Sequence, residues 1–73
     1  MNVFSAPLKD MAKWFAYLDT LRESGATNMF GSVPYLRDRF DLSRDDASKV
    51  LSLWMKTFDD SDPEDRARRA LES

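Results

Sequence analysis

Val33-Pro34-Tyr35-Leu36-Arg37-Asp38-Arg39-Phe40, followed by Asp41-Leu42-Ser43 and then by Arg44 through Phe58, reads as two helices joined at one tight corner. Ser43 is a natural N-cap, because its hydroxyl can accept a hydrogen bond from the free amides of the next turn. Asp46 stands three residues later, where a capping box holds a carboxylate. Apolar residues fall at Leu36, Phe40, Leu42, Ala47 and Val50. That is the pattern of a helix-turn-helix: one face of a short helix, a buried residue in the turn, then the inner face of a second helix. Two positions depart from it. The turn residue is Asp41, where Gly is frequent because the backbone tends to be left-handed, a conformation Asp tolerates less well. Arg37 falls where the two helices usually need a small residue, which predicts a wider crossing.

Upstream, Ser5-Ala6-Pro7 reads as a helix start, with Pro7 in the first turn, where a missing amide costs nothing. Leu8, Met11, Phe15 and Leu18 recur at helical spacing with Trp14 and Leu21 beside them, while Lys9, Lys13, Asp19, Arg22 and Glu23 supply a polar side. A helix over 7–23 follows. Gly25 is placed for a left-handed C-cap, and Ala26 to Asn28 for a turn. Met29 and Phe30 are expected to plug the bottom of the core, with Gly31-Ser32 opening the next helix.

Downstream, the helix from Arg44 carries Ala47, Val50, Leu51, Leu53, Trp54, Met55 and Phe58. Leu51, Trp54 and Phe58 form one stripe, Val50 and Leu53 widen it, and Met55 sits apart. An apolar arc this wide predicts a helix surrounded by others rather than one covered on a single face. Asp59-Asp60-Ser61-Asp62-Pro63-Glu64-Asp65 then reads as a helix start, with Asp62 as cap and Glu64 and Asp65 near the positive dipole end. Arg66, Arg68 and Arg69 complement the other end. With Ala67, Ala70 and Leu71 as its apolar residues, this last helix has little to bury, and is expected to be short and partly frayed.

The fold class that results is all-α: one domain over 1–73, a three- to four-helix unit containing a helix-turn-helix-like pair. Residues 1–6 form an N-terminal arm and 7–58 the core, with the helix-turn-helix at 33–58. Residues 59–73 supply an acidic loop and a C-terminal helix near 63–71. The first helix is expected to cross the pair and bury Phe15, Leu18, Leu36, Phe40, Leu42, Leu51 and Trp54. A chain of 73 residues buries only about 60% of its unfolded surface, so its stability rests on good packing.

Composition narrows the chemistry. There is no Cys and no His, which removes disulfides, thiol chemistry, the usual zinc ligands and the usual general base near neutral pH. No cofactor or metal site is expected. Asp60, Asp62 and Glu64 alternate as calcium ligands do, but an EF-hand counted from Asp60 needs Gly at its sixth position and Glu at its twelfth, where Asp65 and Leu71 stand. With no glycine-rich phosphate loop and no nucleophile beside a base, a non-enzyme is expected. No apolar run approaches the roughly 18–20 residues that span a bilayer, and no signal-peptide layout opens the chain. A soluble, intracellular chain is therefore expected; it is also taken to be a monomer, although the sequence does not fix its oligomeric state.

Charge bears on the partner. Residues 1–42 carry five basic and five acidic groups, and residues 43–73 carry six and eight, giving the net −2 of the whole. Duplex-binding domains normally show a basic excess, because neutralised phosphates supply most non-specific affinity. Arg44 and Lys49 sit where a recognition helix reaches base edges, but Asp45 and Asp46 oppose them. A helix-turn-helix DNA-binding repressor is the alternative reading, and docking on protein is preferred. Two surfaces are candidates for that docking. One is the arm, where Val3 and Phe4 form an apolar anchor or else a staple against the first helix. The other is the outer face of the helix-turn-helix, where Arg37, Arg44, Lys49 and Lys56 would meet acidic groups around an apolar centre.

Asn28-Met29-Phe30-Gly31, Pro34-Tyr35-Leu36, Phe40-Asp41-Leu42-Ser43, Ala47, Val50-Leu51 and Trp54-Met55 resemble a motif run of small phage and bacterial proteins, over the middle of the chain. Its length and its start resemble the small phage-encoded transcription regulators of Xanthomonas phage type. That resemblance implies a partner, bacterial RNA polymerase, and an activity, inhibition of host initiation together with antitermination. It implies a location in the bacterial cytoplasm and leaves RNA contact open. It carries over no contact residues.

Overall fold

The computed structural model describes residues 6–25 and 28–72, without the side chain of Phe30. Four helices follow in order: α1 (Leu8–Ser24), α2 (Val33–Phe40), α3 (Arg44–Thr57) and α4 (Pro63–Glu72), with a single 3₁₀ turn at Met29–Ser32 leading into α2. The described residues contain no strand, and the architecture is all-α.

Local chemistry sets the boundaries. Pro7 precedes α1, and its carbonyl accepts from the amides of Asp10 and Met11. Gly25 ends the helix at φ 67°, returning its amide to the Leu21 carbonyl at 3.2 Å. A left-handed residue here satisfies a carbonyl the helix would otherwise leave open. Asn28 opens the 3₁₀ turn by accepting from the Gly31 amide at 2.9 Å. The expectation for Phe30 lies outside what is described, while Met29 is half-buried against the core.

α2 ends at Asp41, which takes the left-handed conformation at φ 56° and donates its amide to the Arg37 carbonyl. Among the described residues it is the one non-glycine with positive φ. Ser43 then caps α3, accepting from the Asp46 amide at 3.1 Å. This is the helix-turn-helix-like pair read from the sequence, with its corner at Asp41–Ser43.

The core gathers one face of each helix. Met11, Phe15 and Leu18 of α1, Leu36 of α2, Ala47 and Val50 of α3 and Ala67 of α4 are fully buried. Leu51 and Trp54 are buried as expected, and Phe40 and Leu42 pack half-buried at the edge. Phe40 meets Tyr17 edge-on, with ring centroids 5.4 Å apart. The wide apolar arc of α3 is explained by α1, α2 and α4, which all pack against it.

Three expectations need correction. Arg37 does not enter the α2–α3 crossing: it is exposed, because the inner line of α2 runs through Val33, Leu36 and Phe40 and leaves Arg37 on the flank. Phe58 does not extend the buried stripe. It follows the end of α3 in extended backbone, 39% exposed, and packs against Trp54 with ring centroids 4.9 Å apart and planes tilted by 48°. α4 falls where a short helix near 63–71 is expected, but rather than having little to bury it packs closely on α1. Its buried Ala67 and Ala70 are small enough to let the two backbones approach, and its third buried residue is Arg66.

Candidate docking surface and the Asp19–Arg66 network

The outer side of α3 is set by the same periodicity that fills the core. With Ala47, Val50, Leu51, Leu53 and Trp54 inward, the exposed residues are Arg44, Asp45, Ser48, Lys49, Ser52, Met55 and Lys56. Ser48, Ser52 and Met55 run down one line of this face, and Lys49 and Lys56, seven residues apart, share one edge. Arg44 stands at its N-terminal end beside Asp45. The expected apolar centre is thus mostly serine, with Met55 at 38% exposure as its one large apolar side chain.

Arg44, Lys49 and Lys56 are therefore brought onto one helix face. Arg37 is not with them: it lines a shallow depression on α2 with Pro34, Tyr35, Asp38, Asp41 and Leu42. Val3 and Phe4 lie outside the described residues.

A second constellation was not expected. Asp19 on α1 receives two charge-assisted hydrogen bonds from Arg66 on α4, with Nη1 at 3.0 Å from Oδ1 and Nη2 bonded to Oδ2. The same Oδ1 accepts from the Trp54 indole Nε1–H at 2.9 Å, which brings in α3. Arg66 donates its Nε–H to the Ser61 carbonyl at 3.0 Å, so its fork is satisfied on both sides. The side chain of Arg66 is 2% exposed and that of Asp19 is 23% exposed. Hydrogen bonding to Asp19 pushes the Arg66 guanidinium above its ordinary value, against the opposing effect of desolvation. Phe58 closes the outside of the cluster, with the Arg22 guanidinium 4.7 Å from its ring centroid and that of Arg66 5.3 Å away.

Next to it the acidic loop is folded on itself. Asp59 Oδ1 accepts from the Ser61 amide at 2.8 Å and from the Ser61 hydroxyl, and Oδ2 pairs with Arg69 at 2.8 Å. These contacts, those to Ser61 foremost, lower the Asp59 carboxyl to about 2. The Asp62 carbonyl accepts from the Arg66 amide at 3.1 Å, which puts Asp62 at the start of α4, as the sequence suggests.

One sequence signal does point to this network. A Trp on the inner side of a helix needs an acceptor for its indole N–H, and Asp19 lies one turn beyond Phe15 on the buried side of α1. Nothing in the spacing of α4 distinguishes Arg66 from Arg68 and Arg69 as the buried cation.

Fold and surface together define a small four-helix domain with a helix-turn-helix-like pair and a mixed-charge outer face. No protein-family model matches the chain, and no curated protein or solved structure matches it. No helix among the described residues is long and apolar enough to cross a membrane.

Proposed function

We propose that this chain is a non-enzymatic adaptor that docks on bacterial RNA polymerase in the cytoplasm of the host cell, inhibits host initiation and promotes antitermination. The supporting observation is the outer face of α3. It exposes Arg44, Lys49 and Lys56 around serines and Met55, with Asp45 among them. Across 33–58 there are five basic and four acidic residues, a net of +1, which suits recognition of a mixed protein surface better than a polyanion. The choice of polymerase as partner, and of initiation and termination as the steps affected, comes from the resemblance of the sequence to phage transcription regulators.

The test uses purified polymerase holoenzyme and the intact chain. The expected result is co-elution in size-exclusion chromatography, fewer transcripts from a host promoter and more read-through of an intrinsic terminator. Arg44→Glu should weaken co-elution about tenfold or more, as reversal of an interface charge does. A holoenzyme that neither retains the chain nor changes its transcripts removes the proposal.

The helix-turn-helix geometry favours the second reading, a DNA-binding repressor. That reading requires a tight, sequence-specific operator complex whose affinity falls steeply with salt. Binding to duplex DNA at physiological salt is expected to be weak and insensitive to sequence.

A further inference from the structure

The corner of the helix-turn-helix does not lie flat on α1. Between them is a cleft of about 710 Å³, in the size range of pockets that hold side chains or small ligands. Its lining is aromatic and apolar from Trp14, Tyr17, Phe40 and Leu42. Three carboxylates from three segments enter it: Asp10 of α1, Asp41 of the corner and Asp46 of α3. Asp10 and Asp46 are half-buried, whereas Asp41 and the two cations of the cleft, Lys13 and Arg39, are exposed on its rim. None of the three carboxylates is in an ion pair among the described residues.

Asp10 and Asp46 have a local explanation, since each sits in the first turn of its helix, where a negative charge is favoured. Asp41 has the opposite situation. It holds a left-handed backbone at φ 56° and places a carboxylate at the C-terminal, negative end of α2. Both features work against the fold at a position where Gly would relieve them. The last carbonyls of α2 and the Asp41 carboxylate together make this wall of the cleft attractive to a cation.

We propose that this cleft binds an exposed arginine-bearing peptide segment of a partner protein. The guanidinium pairs with Asp41 and Asp46, and the neighbouring apolar residues of the segment lie on Tyr17, Phe40 and Leu42. Arginine suits the site better than lysine, because its planar group both stacks on aromatic faces and bonds carboxylates through two N–H groups. The Phe40 ring already takes such a group: the guanidinium carbon of the exposed Arg39 lies 5.0 Å from its centroid. The inference rests on the reading of the chain as a protein-docking module, and does not depend on polymerase being the partner.

The test titrates the intact, isotope-labelled chain with acetyl-Leu-Arg-Leu-amide, followed by amide and indole NMR signals. The citrulline analogue is the neutral control. The arginine peptide is expected to shift Tyr17, Phe40 to Ser43 and the Trp14 indole in a saturable way, while the Trp54 indole at the Asp19 network stays in place. It should bind about tenfold tighter than the citrulline peptide, the discrimination a charge-assisted pair provides. Asp41→Asn keeps a residue that tolerates the left-handed conformation, so the variant should remain folded and lose that preference. Equal binding of the two peptides, shifts outside the cleft, or an unchanged preference in folded Asp41→Asn would each overturn the proposal. Because no polymerase is present, failure here falls on the cleft, whereas the co-elution experiment tests the function proposed above.

Discussion

Leu36, Ala47, Val50 and Leu51 seat α2 and α3 chiefly through apolar surface, whereas α4 brings two alanines, a half-buried Leu71 and one buried cation, Arg66. Apolar burial is non-directional and scales with area, so it is spread over many positions and tolerates modest change at each. A buried ion pair concentrates its effect in one place. It is strong while both partners are present and costly as soon as one is missing. The two halves of the domain should therefore fail in different ways.

The largest expected effect is at α4. Arg66→Met leaves the largely covered Asp19 carboxylate with the Trp54 N–H but without its cation, and should destabilise the domain by about 3–5 kcal/mol in urea denaturation. The double variant Asp19→Asn with Arg66→Met should recover part of that loss, since a neutral amide leaves no unpaired charge and its oxygen can still accept from the Trp54 N–H. A single variant within about 1 kcal/mol of the wild type would mean that the alanines hold α4 without the ion pair.

Next comes the apolar half. Leu51→Ala, at a position 7% exposed, should cost about 2–4 kcal/mol through lost burial and a residual cavity. The comparison is sharpened by hydrogen exchange. Leu51→Ala should lower protection in all four helices together, while Arg66→Met should open α4 ahead of the rest. Equal loss of protection everywhere in both variants would show that the two regions form one cooperative unit.

That contrast also explains what could be read in the sequence. The helix-turn-helix was legible because its determinants repeat at short range: Leu36 to Phe40, Ala47 to Val50 to Leu51, a serine cap, and Gly25 closing the helix before it. Asp19 and Arg66 are 47 residues apart, and their pairing depends on how α4 crosses α1, which no local spacing encodes. For the same reason α4 reads as having little to bury when Ala67, Ala70 and Leu71 are counted without their partners and all three arginines are assigned to the helix end. The candidate surface divides the same way. Exposure of Arg44, Lys49 and Lys56 followed from helical phase, while the separate position of Arg37 and the cleft built from α1, the corner and α3 required the tertiary arrangement.

A smaller effect is expected at the entry to α3. Ser43→Ala removes the acceptor of the Asp46 amide and should cost about 1 kcal/mol, seen as a lower unfolding midpoint with an unchanged slope. A loss near zero would mean that water replaces the hydroxyl at this exposed cap.

The two helix entries also differ in how they respond to acid, and this is the subtlest effect. The linker into α4 depends on an ionised group. The amide and hydroxyl of Ser61, together with the Arg69 guanidinium, hold the exposed Asp59 carboxyl at about 2, below its unfolded value of about 4. A depressed carboxyl stabilises the fold fully above the unfolded value, and that contribution disappears as the pH falls from about 4 through about 2. Thermal unfolding of the wild type and Asp59→Asn should therefore show a gap at neutral pH that closes across this window, while other acidic groups cancel in the difference. Ser43 carries no charge, so the gap between wild type and Ser43→Ala should stay nearly constant over the same range. A gap for Asp59→Asn that persists to about pH 2 would mean that the loop is held by the geometry of the turn rather than by the charge of Asp59.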